Sequence, residues 1–447
     1  MKAFATRLLG VVCLLTSSGF ALADTGKAPP PLPSPWNLAG AVQYALDNNP
    51  RTHIALKRLE GAQAKARSAS THSLPVVSLS AEYSQTDNPM YSFGNILNQG
   101  AFDNTIDFND PGRTDDLQLI AGIRYRLYDG GRIQSGTEAA RATSMAVDKD
   151  LAVTHQQLAF EVVKSYHTIL QAREMVQVRK SAIEAIDASL TVGKARYDAG
   201  DLLREDLLNL ELQKARAVEE GIRAEHRLQL TNQIFWNILG IENYTELPLP
   251  TTDTSQELPQ TMNYDKRQEL QAIDRRIEAA RAALEASRSG NLPTIDTFAQ
   301  YRLDHGMILD ESGDSWMAGV RLDYTLYDGA RTEHDTVTAK AQLMESEAER
   351  DRLRLALSLE LQRGIIMHNQ SLEKLQVTEK MVEVAKESAK LSRLRFQEGV
   401  ILAMNLIDME MRLTDALARR ASARTENSIA IANLLRVTGN NQYPTGK

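Results

Sequence analysis

The chain has 447 residues, 43% of them hydrophobic and 24% charged, which is the composition of a folded protein with material for a sizeable core. A net charge of -7 without any basic stripe excludes a nucleic-acid binder. The one cysteine, Cys13, stands in the N-terminal apolar stretch, so a chain cleaved after that stretch has neither disulfide nor thiolate metal ligand.

Residues 1–23 read as a secretory signal peptide: Lys2 and Arg7 precede the apolar stretch, and Ala21-Leu22-Ala23 fits a small-residue cleavage site. Val12 precedes Cys13 where a lipoprotein signal needs a small residue, so no N-terminal lipid is expected. Residues 24–37 hold five prolines within KAPPPLPSPW and read as an extended tether. Beyond them there is no run of 18 apolar residues, so any membrane insertion must be by strands.

The next 200 residues occur twice. Tyr128 and Tyr327, in RLYDGGR and TLYDGAR, stand 199 residues apart, and the same offset relates RYDAGDLLREDLLNLE from Arg196 to RFQEGVILAMNLIDME from Arg395. Such self-similarity marks a duplicated unit. The first copy spans 38–240 and the second 264–440, with a linker at 241–263 and a tail at 441–447.

Each copy begins with a helix, expected over about 38–70 (broken near Pro50) and about 265–288. Both are rich in strong helix formers and stop before a Leu-Pro pair. Strands follow at about 76–85 and 116–127, then at about 294–303 and 315–327. Val77, Leu79, Ala81 and Tyr83 alternate with Ser78, Ser80, Glu82 and Ser84, and the other three strands repeat the pattern. Alternation over about ten residues fits a strand of a closed membrane barrel, and equally a soluble sheet with one wet face. Residues 86–116 are expected as a long loop. The second copy has two more residues before its LYDG, which are expected to stay inside the strand and preserve its faces. Asp129 and Asp328 are placed to cap the helices that follow.

Helices are expected over about 131–197 and 330–396. Neither stretch holds proline, and a helix of that length reaches about 100 Å. Val162, Ile169, Val176, Ile183, Leu190 and Tyr197 recur every seven residues, and Leu361 to Phe396 keep the same register, which predicts left-handed supercoiling. Gly200 and Gly399 sit where each helix turns back into a shorter one, about 201–239 and 400–437.

Taken in order, ALDNNP at 45–50, LPVVSLSAEY at 74–83, YRLYDGGR at 125–132, ARYDAG at 195–200, NLPTIDTFAQY at 291–301, YTLYDGAR at 324–331 and RLRFQEG at 393–399 resemble the TolC-like outer-membrane efflux protein family over nearly the whole mature chain. The resemblance implies a mixed α and β membrane protein, a homotrimer whose 12-stranded β-barrel sits in outer-membrane lipid and continues as a 12-helix periplasmic α-barrel. It implies an exit duct of a tripartite transport system, with a periplasmic adaptor (membrane fusion) protein and an inner-membrane transporter as partners. Gly200 and Gly399 match the turns that engage the adaptor, and Tyr125, Tyr128, Tyr324 and Tyr327 fall where an interface girdle of aromatics sits. In the family prototype two aspartates after the second glycine line the closed gate; here those positions are Asn405 and Asp408. The prototype's gate tyrosine and arginine are replaced by Phe396 and Ile401, which can make neither a side-chain hydrogen bond nor an ion pair. Closure is therefore expected from Leu402, Met404 and Leu406, with Glu205 and Asp206 adding acidity.

The alternative is an elongated periplasmic coiled-coil adaptor or structural protein. No enzyme, cofactor or metal is expected: the eight histidines are scattered, and no HExxH, GxSxG or phosphate-loop string occurs. Asp107, Asp110, Asp115 and Asp116 lack the spacing of a calcium loop.

Overall fold

Asn37 and Asn49 each open a helix by accepting a backbone N–H two or three residues on, from Gly40 at 2.6 Å and from Arg51 at 2.8 Å. In a computed structural model, which describes residues 37–242 and 258–441, they start α1 (Leu38–Asn48) and α2 (Pro50–Thr71), separated at Pro50. The expected signal peptide, all of the tether but residue 37, the middle of the linker and nearly all of the tail lie outside the described residues.

After α2 come β1 (Val76–Thr86), α3 (Pro89–Asn98) and β2 (Thr114–Tyr128). Then follow α4 (Arg132–Asp198) and α5 (Arg204–Leu239). The second copy gives α6 (Gln268–Arg288), β3 (Thr294–His305), β4 (Ser312–Asp323), α7 (Arg331–Gln397) and α8 (Ala403–Val437). The four strands form one antiparallel sheet in the order β1-β2-β3-β4, so the two copies meet at β2 and β3 while β1 and β4 are edges without a partner strand among the described residues.

Three expectations need correction. Residues 86–116 are not a plain loop: Asn88 caps α3 through the Met90 N–H, with Pro89 at its first turn. The last strand ends at Asp323 rather than 327, because its partner β3 starts at Thr294 behind Pro293, which has no N–H to extend the ladder. The two extra residues of the second copy thus lie after the strand, and so do Tyr324 and Tyr327. A bulge between Arg126 and Tyr128 also resets β2, so that Tyr128 pairs with Ile295. Without it Tyr125 and Tyr128 would point to opposite faces.

Asp129 and Asp328 reach across the turns that follow the strands. Asp129 accepts the N–H groups of Gly131 (3.0 Å) and Ile133 (2.7 Å), and Asp328 accepts the Thr332 N–H (2.9 Å) and hydroxyl (2.6 Å). The bonds from Thr332 hold the Asp328 carboxyl below the usual range. The helices they launch, α4 and α7, are each 67 residues long. Leu361, Gly364, Ser371, Thr378, Val382, Ala389 and Phe396 are the buried positions in the lower part of α7. Their steps of three, four and seven residues define a seam packed against α8.

The shorter helices stack end to end alongside the long ones. Both α2 and α5 pack on α4, and their junction is closed by Asn49, whose amide donates to the Ile238 carbonyl at 2.6 Å. Both α6 and α8 pack on α7, and there Arg267 takes the place of Asn49. Its guanidinium is 4% exposed and bonds Glu269, Glu360 (3.0 Å) and the Arg436 carbonyl (3.5 Å). Burial pushes the Glu269 carboxyl up, but the Arg267 hydrogen bond and charge outweigh it and hold the group below its ordinary value. A core centred on Val162, Tyr166, Ile169, Phe235 and Leu239 surrounds the first junction.

Candidate functional site

Two regions carry the chemistry: the faces of the sheet and the turns at the far end of the hairpins. The registers align Leu79 with Ala121, Tyr301 and Trp316, and Val77 with Ile123, Ala299 and Ala318. Tyr125, Thr297 and Val320 form the next row, and Ile295 with Leu322 the one after. This face is apolar and open: Trp316 is 77% exposed, and Val77, Leu79, Val320 and Leu322 are exposed as well. So large an apolar patch requires a non-aqueous neighbour. Tyr125, Tyr128, Tyr324 and Tyr327 are all exposed near the helical end of the sheet.

The opposite face is mainly polar. Glu82, Gln118 and Asp304 share one row, Ser80, Arg302 and Ser315 another, and Arg126, Asp296 and Arg321 a third. At the end remote from the helices α3 folds over this face. Gln99 is fully buried there and donates to the Asp115 carbonyl at 2.7 Å, while Asn95 donates to Thr114 at 3.1 Å. Gly313 gives the Asn98 carbonyl room that a side chain would fill. Sequence reasoning missed this cover, whose only signal was Asn88-Pro89.

At the hairpin turns Gly200 (φ 85°) and Gly399 (φ 79°) adopt the left-handed conformation that closes a helix. The next N–H groups, of Asp201 and Val400, return to the carbonyls of Arg196 and Arg395 at 2.8 Å in both cases. Beneath the turns, Phe396 is 1% exposed and packs with Ile186, Leu190, Leu207, Leu210, Ala403 and Leu406 from both hairpins. Arg196 ties the tips together. It donates to the Phe396 carbonyl at 2.9 Å and to the Asp201 carbonyl at 3.0 Å, with its guanidinium 5.1 Å from the Phe396 ring centre.

The remaining candidates are spread around this cluster. Ile401 packs on its edge, Leu402 and Met404 are exposed, and Asn405 is exposed beside them. Leu406 belongs to the interior, which removes it from the apolar closure expected of Leu402, Met404 and Leu406. Asp408 pairs with Arg412 one turn on at 3.0 Å. Glu205 and Asp206 occupy the first turn of α5, where the helix dipole favours acidic groups. Nearby, Glu410 is buried and grips Arg393 across the hairpin, with Nη2 to Oε2 at 2.7 Å. That hydrogen bond raises the Arg393 pKa above its ordinary value. Neither Arg196 nor the Arg393–Glu410 pair was singled out from sequence, because a helical Arg or Glu announces no partner.

Among the described residues no helix is long and apolar enough to cross a membrane, and no three His, Cys, Asp or Glu side chains are grouped to hold a metal.

The sequence model of the family described as "Outer membrane efflux protein" matches residues 41–240 and 264–440. The chain is 22% identical to the outer membrane protein TolC of Vibrio cholerae over 422 residues, 90% of each chain. Its fold is similar to that of the outer membrane protein VceC of Vibrio cholerae, with a TM-score of 0.78 at 17% identity over 91% of this chain and 97% of that one. It is also similar to the CmeC outer membrane channel of Campylobacter jejuni, with a TM-score of 0.79 at 13% identity over 90% and 85% of the two chains.

Proposed function

The chain belongs to the outer membrane efflux protein family, and from that premise we propose that three copies close their sheets into one 12-stranded barrel that drains a 12-helix periplasmic tunnel. The protein is an outer-membrane efflux channel. The observation that carries the trimeric reading is the sheet itself. Four strands with two bare edges and one apolar face satisfy neither their edge N–H and C=O groups nor their side chains in water, and three such sheets joined edge to edge satisfy both. The 67-residue helices then extend about 100 Å into the periplasm.

Two boundaries follow from that reading: the first unit runs over 38–240 and the second over 264–440. The turns at Gly200 and Gly399 are the contact for a periplasmic adaptor, which links the channel to an inner-membrane transporter. The channel is closed by the tips, with Arg196 and Phe396 holding each protomer's hairpins together and Asp408, Glu205, Asp206, Leu402 and Asn405 facing the constriction. An elongated periplasmic adaptor would instead leave the face bearing Trp316 in water.

Purified protein added to a planar lipid bilayer is expected to give discrete conductance steps of constant size. Incorporation of folded protein into the bilayer without steps would overturn the channel reading.

A further inference from the structure

We propose that the foot of the barrel lumen carries a binding belt for planar aromatic anions, aryl sulfonates and aryl carboxylates, made by Phe298 with Arg124 and Arg321. The belt rests on the channel reading, since it needs the polar face of the sheet to line the lumen.

Arg124, Phe298 and Gly319 are cross-strand neighbours in one row of the polar face, and Arg126, Asp296 and Arg321 form the adjacent row. An aromatic ring is out of place on a polar face unless something lies against it. Here the ring lies over Gly319, where a Cβ would come within 2.9 Å of its Cζ, and the Arg321 guanidinium stands 5.9 Å from its centre. The glycine thus makes the floor, and Arg321 covers one side by a cation–π contact.

The charges of the two rows are not equally free. Arg126 is consumed by Asp296, which it grips with two bonds at 2.9 and 3.1 Å. Arg124 and Arg321 are exposed and form no ion pair among the described residues. Two guanidinium groups free of ion pairs beside one aromatic ring match a flat ligand with an anionic substituent: the ligand's ring takes the place of the Arg321 guanidinium over Phe298, and Arg321 and Arg124 turn to its sulfonate or carboxylate oxygens with paired N–H bonds. On the Arg124 side a cavity of about 430 Å³ opens, lined by Arg124, Arg126, Arg132 and His72 together with Asp129 and Asp296, so Arg124 stands between the Phe298 row and a polar recess. The feature is local. At the other end of the same face Glu82, Asp116 and Asp304 are accompanied by one arginine, Arg302, which is bonded to Asp304 at 2.8 Å.

The test is block of the channel in planar bilayers by 8-hydroxypyrene-1,3,6-trisulfonate added on the side of the barrel mouth. Wild-type current is expected to be blocked in a concentration-dependent way. The pair Arg124→Gln with Arg321→Gln is expected to raise the half-blocking concentration by about tenfold or more. Phe298→Leu is expected to weaken block by the pyrene dye and to leave any block by inorganic sulfate unchanged. Conductance steps with no block of wild type, or equal block of wild type and the double variant, overturn the belt. Where the double variant forms no channels, equal pyrene block of wild type and Phe298→Leu overturns it. Absence of steps in wild type overturns the channel reading instead.

Discussion

Arg196 joins the two hairpin tips, because it reaches from one turn to the backbone of the other. Its hydrogen-bond acceptors are the carbonyls of Phe396 and Asp201, so a change of side chain at those positions leaves both acceptors in place while replacing Arg196 removes the donor. Arg196→Gln is expected to lose about 1.5–3 kcal/mol of tip stability and to raise the closed-state conductance in bilayers. Unchanged conductance would remove Arg196 from the gate. The sequence pointed to this region through Gly200 and Gly399, whose φ values only glycine adopts cheaply. It also pointed away from a polar side-chain lock, since Phe396 and Ile401 offer none. What it could not reveal was the choice of acceptor. Backbone carbonyls are present everywhere, and which one an arginine finds is decided by how two helices hundreds of residues apart in sequence come to lie side by side.

At the scale of elements, the period of the seam in α7 was legible, because a two-helix seam is a local periodic property, but only four of its expected positions, Leu361, Val382, Ala389 and Phe396, are buried, while Ser371 and Thr378 replace His368 and Leu375. The strands were legible for the same reason. Their ends were not, since Pro293 on β3 decides where β4 stops, and a bulge in β2 decides which face Tyr128 takes. The end-to-end junctions of the short helices were also hidden, although Gly240 and Gly439 mark them. At Gly439, with φ of 73°, a Cβ would stand 2.8 Å from the backbone carbon of Lys266. Gly439→Ala therefore strains both its own backbone and the seat of α6, and is expected to cost about 1–3 kcal/mol. A lower midpoint in thermal melting followed by helical circular dichroism, together with faster proteolysis near residue 266, would check it; an unshifted midpoint would contradict the stacking account.

At the scale of the molecule, one protomer is an incomplete object. Among the described residues it presents two bare strand edges, an apolar sheet face, and two hairpins tied at one end, and in the proposed assembly further copies meet the first two of these. In the proposed trimer the duplication lets three chains give six units, since every chain supplies two nearly equivalent strand-and-hairpin units. The proposed closure of the barrel by three chains is read from the mass of the protein released from detergent micelles in native mass spectrometry. A species of three chains is expected. A folded species of one, two or four chains, with no three-chain assembly at any protein concentration, would contradict it.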